Sequence, residues 1–244
     1  MATANTKIPA MREGGALLGR IRKQLMSMLV PGVDLWEIER QAQRLIKNSG
    51  AVPNFAKVNN YGFATCLMVN EEVVHGKPKH RLVQKGDLVT VDVGLEWQGW
   101  QLDTADSRLV GEQDDKFIST GRQALARAIL MATPGRRIGH ISQAMQKIIE
   151  KNGYSAVRQY CGHGIGKELH EGPQIFCFLD RPISQTETIK EGMTLAVEVM
   201  MNEGDWEVAI DKSGWRAVTV DGTRSAQFEH TILVGTTGAE ILTL

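Results

Sequence analysis

The chain has 244 residues, 42% of them hydrophobic and 23% charged, with 28 basic against 28 acidic side chains. That composition excludes intrinsic disorder, collagen and long coiled coils, and supplies enough apolar residues for a sizeable core. A formal net charge of zero removes the broad attraction that nonspecific nucleic-acid or anionic-membrane binding needs. No stretch approaches the ~20 apolar residues required to cross a bilayer, and the N-terminal MATANTKIPAMREGG lacks an apolar signal core. Three cysteines, Cys66, Cys161 and Cys177, form neither a CxxC pair nor an even disulfide set, which fits a reducing cytoplasm. One compact domain over residues 1–244 is expected at this length.

Leu17, Leu18, Ile21, Leu25, Met28 and Leu29 recur at helical spacing, and Pro31-Gly32 stops that helix. A second helix follows. Asp34 with Glu37 three residues later reads as a capping box, and Leu35, Ile38, Ala42, Leu45 and Ile46 form an apolar stripe ending at Gly50. The pattern returns 103 residues later, where PGVDLWEIERQAQRLIKNSG aligns without gaps on PGRRIGHISQAMQKIIEKNG with six identical positions. Both Pro-Gly pairs and both terminal glycines are among them, which marks an internal duplication. The first half runs over about 12–111 and the second over about 117–235.

The strand segments repeat as well. KGDLVTVDV at 85–93 aligns with EGMTLAVEV at 191–199, setting Asp92 against Glu198, and Asp103 in LDTADSRLVG corresponds to Glu229 in FEHTILVG. A pseudo-twofold axis would bring all four carboxylates together; the alternative is a duplicated structural core whose acids merely match. A carboxylate inside V-D-V or V-E-V is expensive to bury without a partner. A hairpin centred between Trp97 and Gln98 places Asp92 directly across from Asp103, with Cβ atoms about 4.5–5.5 Å apart. Two bare carboxylates that close cannot both stay ionised in apolar surroundings, so a metal ion or a shared proton must resolve the repulsion. Four convergent acids exceed what one proton can hold, and two divalent cations would neutralise them.

Imidazoles are candidate ligands beside such acids. His163 lies between glycines in YCGHGIG and reads equally as a ligand or as an ordinary histidine, while His170 in LHEGP offers a second ring. His75 in VVHGKP ends an apolar strand and either reaches a site or caps a loop. His230 follows Glu229 and points to the opposite strand face as a structural partner. His80 and His140, among Lys, Arg and Gly, read as solvated, and Cys161, without an activating partner, as a small core residue. No GxSxG elbow, phosphate loop or G-x-G-x-x-G occurs, so neither serine-nucleophile chemistry nor a nucleotide cofactor is implied.

Over essentially its whole length the chain resembles the type I methionine aminopeptidases. The resemblance implies an α+β pita-bread fold, two pseudo-symmetric halves with an antiparallel sheet covered by helices. It implies five metal ligands, Asp92, Asp103, His163, Glu198 and Glu229, with Asp103 and Glu229 bridging two divalent ions (Mn, Fe, Co or Zn) around a water or hydroxide. His75 and His170 would contact the substrate and the reacting carbonyl, and Glu198 would shuttle a proton. The methionine pocket maps onto Tyr61, Cys66, His75 and Trp215. Three positions depart from the family: Val58 in FAKVNNYG stands where a pocket-edge tyrosine is usual, Leu169 where an aromatic precedes the second histidine, and Val199 where a proline follows Glu198.

The function implied is removal of the initiator methionine from peptides and nascent proteins, at the ribosome among other places, by a cytoplasmic monomer with no nucleic-acid or membrane partner. No zinc-binding extension precedes the catalytic region, so the minimal bacterial-type layout is expected, and Met1-Ala2 itself presents the small second residue that such enzymes accept. A proline-selective aminopeptidase or dipeptidase of the same fold would use the same five ligands, usually behind an extra N-terminal domain. A noncatalytic pita-bread binding module would typically have lost ligands.

Overall fold

The computed structural model describes residues 4–244, with side chains from residue 6 onward, and Met1-Ala2 lies outside the described residues. Helix α1 (Ala4–Ser27) buries Leu18, Ile21 and Leu25 along one stripe and ends ahead of the Pro31-Gly32 turn. Helix α2 (Leu35–Asn48) is capped by Asp34, whose carboxylate accepts the Trp36 N–H at 3.0 Å. Glu37 does not close the expected capping box and instead faces Arg40 at 3.6 Å. The neighbouring chain explains this: Asp34 bridges Leu82, and its carboxylate also takes the Arg81 N–H and the ring of His80, so the helix start is satisfied from outside.

Strands β1 (Val52–Pro53), β2 (Thr65–Val69), β3 (Glu72–Val74), β4 (Leu88–Trp97) and β5 (Trp100–Leu109) complete the first half. The second comprises α3 (Lys116–Met131), α4 (Ile138–Lys151), β6 (Ser155–Ala156), β7 (Cys161–Gly164), β8 (Glu171–Phe176), β9 (Thr194–Asn202), β10 (Val208–Ile210), β11 (Ala217–Thr219), β12 (Ser225–Val234) and β13 (Ala239–Ile241). The main antiparallel sheet runs β1-β4-β5-β12-β9-β7-β8, with β2 added on β4, β6 on β9 and β13 on β12, and a small sheet β10-β11-β3 stands apart. The two halves meet at the β5–β12 pairing. No helix among the described residues is long and apolar enough to cross a membrane.

The repeat seen in the sequence is a repeat of structure. Helices α2 and α4 cover the same aligned positions, and each is preceded by a Pro-Gly turn whose glycine has positive φ, 91° at Gly32 and 84° at Gly135. The isolated bridge Asp34–Leu82 recurs as Arg137–Thr188. Helices α1 and α3 lie on the same sheet face, and each approaches through a glycine: a Cβ on Gly14 would strike Leu102 and Trp97, and one on Gly121 would strike Phe228. Leu102 and Phe228 are themselves the residues just before Asp103 and Glu229. One apolar cluster lies mainly under α1 and α2 and another mainly under α3 and α4, so each half brings its own core.

Two further expectations are corrected. The β4–β5 hairpin turns at Gln98-Gly99, both with positive φ, and pairs Trp97 with Trp100. This two-residue turn with left-handed backbone at both positions suits the strand twist. Asp92 therefore opposes Ala105, and Asp103 opposes Gly94. The two acids stay on one face but sit diagonally rather than directly across. His140 is half-buried rather than simply solvated, because its Nδ1 meets the Arg137 backbone at the start of α4. His80 is exposed, as expected, with its ring on Trp36.

Candidate active site

Strand alternation and pairing build the site. Asp92 opposes Ala105, Ala105 opposes Glu229, and Glu229 opposes Glu198, so one row across β4-β5-β12-β9 carries three carboxylates on the same face. Cys66 on β2 extends this row beside Asp92. Two residues along, Asp103 lies against Thr231, which pairs with Ala196, which pairs with His163. Two adjacent rows from both halves thus bring Asp92, Asp103, His163, Glu198 and Glu229 to one cavity of about 490 Å³. The opposite face turns away: Thr104 and His230 meet the buried Arg22 of α1, and His230 also meets Thr243 at 2.9 Å, so it has the structural role expected.

None of the four acids is more than 7% exposed. Burial pushes the Asp92 carboxyl up to about 7. Asp103, Glu198 and Glu229 are driven well above the carboxylate range by burial and then by one another's charge. Ligand atoms of Asp103, His163 and Glu229 all lie within 4.8 Å of one another. Asp92 Oδ1 and Glu229 Oε1 are buried without a hydrogen-bond partner. Buried acceptors that repel each other and find no donor beside an imidazole are a donor set suited to a divalent cation. His163 is prepared in the same way: its Nδ1 donates to the Gly164 carbonyl at 2.9 Å, which leaves Nε2 with its lone pair toward the cavity. Burial, helped by His170, lowers its pKa to about 4, so the ring is neutral at neutral pH.

The remaining sequence-predicted residues line the same cavity. His170 packs on His163 with ring centroids 4.5 Å apart, and His75, held at φ 60°, packs edge-on to Tyr160. Burial lowers the pKa of both, with His170 adding to the effect on His75. Tyr61 donates to the Thr65 carbonyl at 2.8 Å and touches Cys66 Sγ at 3.0 Å, and its ring stacks on Trp215 at 5.5 Å. With Phe55 and Met68 these form a small apolar cluster against which Leu169 and Trp215 pack. Val58 and Leu169, the departures from the family pattern, both line the cavity, whereas Val199 is buried in the second-half core.

Among the cavity residues that the sequence reading did not assign to the site, two lie beside the acids and His163. Cys161 is half-buried and lines the cavity rather than filling a core, because strand alternation puts it on the same face as His163 two residues on. Gln227, two residues before Glu229, donates through Nε2 to Glu198 Oε2 at 3.2 Å and presents Oε1 without a partner. The same alternation rule, applied outward from His163 and Glu229, finds both.

Comparison with known proteins agrees with this geometry. The model of metallopeptidase family M24 matches residues 9–236. Methionine aminopeptidase 1 of Bacillus subtilis is 38% identical over 236 residues, covering 96% of this chain and 94% of that protein. Methionine aminopeptidase of Escherichia coli K12 is 36% identical over 242 residues, covering 97% and 91%. The crystal structure of the Thermotoga maritima methionine aminopeptidase superimposes with a TM-score of 0.94 at 41% identity, covering 98% of this chain and 96% of that one. The Pyrococcus furiosus prolidase, at 21% identity and TM-score 0.77, shares the pita-bread fold over 98% of this chain and 64% of its own. With its duplicated α+β frame and buried carboxylate–imidazole centre, this chain belongs to metallopeptidase family M24.

Proposed function

We propose that the chain is a dinuclear metal-dependent aminopeptidase that removes the N-terminal, initiator methionine from peptides and nascent proteins. The observation that carries this reading is the convergence of four buried carboxylates and a neutral His163 at the floor of a cavity whose side wall is apolar. Asp92, Asp103, His163, Glu198 and Glu229 would hold two divalent ions, with Mn, Fe, Co and Zn all suited to such oxygen and nitrogen donors. When bound, such ions supply Lewis-acid activation of water and of a carbonyl.

The chain's own residues do the rest. Tyr61, Cys66 and Trp215 receive an unbranched apolar side chain, which orients the first peptide bond over the acids. His75 and His170, neutral at neutral pH, donate hydrogen bonds to the carbonyl oxygen as negative charge develops on it. Glu198, steadied by Gln227, holds a proton on its carboxylate and passes it to the departing amine nitrogen. We read residues 1–244 as one catalytic domain of two halves, acting as a cytoplasmic monomer on N-terminal peptides, nascent chains at the ribosome included, without nucleic-acid or membrane partners.

The test is release of the N-terminal residue from Met-Ala-Ser and from Ala-Pro-Ala by metal-stripped protein reconstituted with Mn(II) or Co(II). Metal-dependent release of methionine alone supports the reading. Release only ahead of proline moves the chain to the proline-selective branch, and no release with any metal favours a binding module.

A further inference from the structure

The cavity wall facing Tyr61 is borrowed from the other half. Trp215 sits at the tip joining β10 to β11, stacks on the Tyr61 ring at 5.5 Å and 27°, and has the Lys77 ammonium 4.4 Å from its own ring centroid. The main sheet does not hold this tip. It belongs to the small sheet β10-β11-β3, where β11 and β3 share only the pairs Ala217–Val74 and Val218–Glu72, with an irregularity between them. So short a ladder is marginal on its own. Beside it runs a line of charge. Glu72, 3% exposed, accepts the Val69 N–H at 3.0 Å, the Lys79 ammonium at 2.7 Å and the Arg216 guanidinium. The same guanidinium reaches Asp211 at 2.9 Å, whose N–H donates to the Arg216 carbonyl and whose carbonyl accepts the Gly214 N–H.

Lys79 alone neutralises Glu72, so the second cation is not needed to bury that carboxylate. Arg216 follows Trp215 directly, and its planar fork spans from Asp211 in the tip to an anchor in the first half. We propose that Arg216 and Glu72 form a latch in which Arg216 is a positioning residue: it holds Trp215 against Tyr61 and thereby sets how tightly the cavity grips an apolar N-terminal side chain. This rests on the aminopeptidase reading for its substrate but not for its structural half.

The test compares the full-length Mn(II)-loaded protein with Arg216→Ala, Glu72→Gln and Arg216→Lys. Two readouts are used: steady-state kinetics on Met-Ala-Ser, and hydrogen exchange at the Asp211 and Gly214 amides with α2 and β9 as folding controls. Arg216→Ala and Glu72→Gln should raise KM by about tenfold, the scale of one lost apolar contact, while kcat stays within about twofold. Both should speed exchange at the tip and leave the controls unchanged. Arg216→Lys, which keeps the charge, should restore part of the KM. Wild-type KM and tip exchange in Arg216→Ala would overturn the latch, and so would a loss confined to kcat. If wild-type protein releases no residue at all, the aminopeptidase reading falls while exchange alone decides the latch: faster at the tip upholds it, unchanged overturns it.

Discussion

The two halves of the molecule are built on one plan and put to different uses. Each has a helix hairpin over two long strands, a glycine where its first helix meets the sheet, and two carboxylates on the opposite sheet face. The surroundings of those carboxylates differ. Beside Asp92 and Asp103 the first half places the apolar cluster of Phe55, Tyr61, Cys66 and Met68, together with His75. Beside Glu198 and Glu229 the second half places His163 and His170, and it sends Trp215 across to complete the first half's pocket. Duplication therefore accounts for the acids, and divergence of the surrounding segments lines one side of the cavity with apolar side chains and the other with the paired imidazoles of His163 and His170.

If the acids are equivalent by descent and by geometry, Asp103→Asn and Glu229→Gln should be equally damaging. Each should lower methionine release by more than the roughly hundredfold that loss of an outer-shell metal partner costs. A tenfold disparity between them, measured at saturating Mn(II), would break the symmetry argument. The imidazole side is tested by His170→Ala, which should slow the chemical step by about a hundredfold in single-turnover kinetics. An unchanged step would remove His170 from the reaction. The helix–sheet contact is the next comparison. Gly14→Ala and Gly121→Ala each drive a methyl into a packed residue at matching places, so each should cost about 1–3 kcal/mol in denaturant unfolding. Stability loss at Gly121 with none at Gly14 would show that the two helices do not dock alike.

Much of this arrangement is legible in the residues. The gapless match around Pro31-Gly32 and Pro134-Gly135 located α2 and α4, and the V-D-V and V-E-V runs located β4 and β9. The hairpin register was missed by one step because Gln98-Gly99, not Trp97-Gln98, adopts the positive φ that a two-residue turn requires. Glu37 was drawn into a capping box that the segment around Arg81 makes unnecessary, a partner distant in sequence. The Arg216–Glu72 contact joins residues 144 positions apart, one in the tip just before β11 and the other opening the three-residue strand β3, and no local pattern announces it.

The smallest expected effect concerns pH in the metal-stripped protein. The four acids have folded pKa values raised above the ordinary 3.8 and 4.5, so their contribution is greatest below about pH 4 and is lost as pH rises, for Asp92 through about 7. His75, His163, His170 and His230 are shifted downward from 6.5 and oppose this up to that pH. Above about pH 7.5 the histidines are essentially neutral in both states and the acids dominate, joined toward pH 9 by the Cys66 and Cys177 thiols, which burial also raises. The Tm should therefore fall as pH is raised from 7 toward about 9, less steeply in Asp92→Asn, and saturating Mn(II) should flatten the trend. A Tm that rises over that range would contradict the burial and mutual repulsion that raise the acids.

The most direct measurement titrates Mn(II) into chelator-stripped protein while following methionine release from Met-Ala-Ser. Release should be absent before the first addition, grow with metal bound, and remain absent throughout in Asp103→Asn. Release by the stripped protein, or undiminished release by Asp103→Asn, would contradict the assignment of the converged carboxylates as the catalytic metal centre.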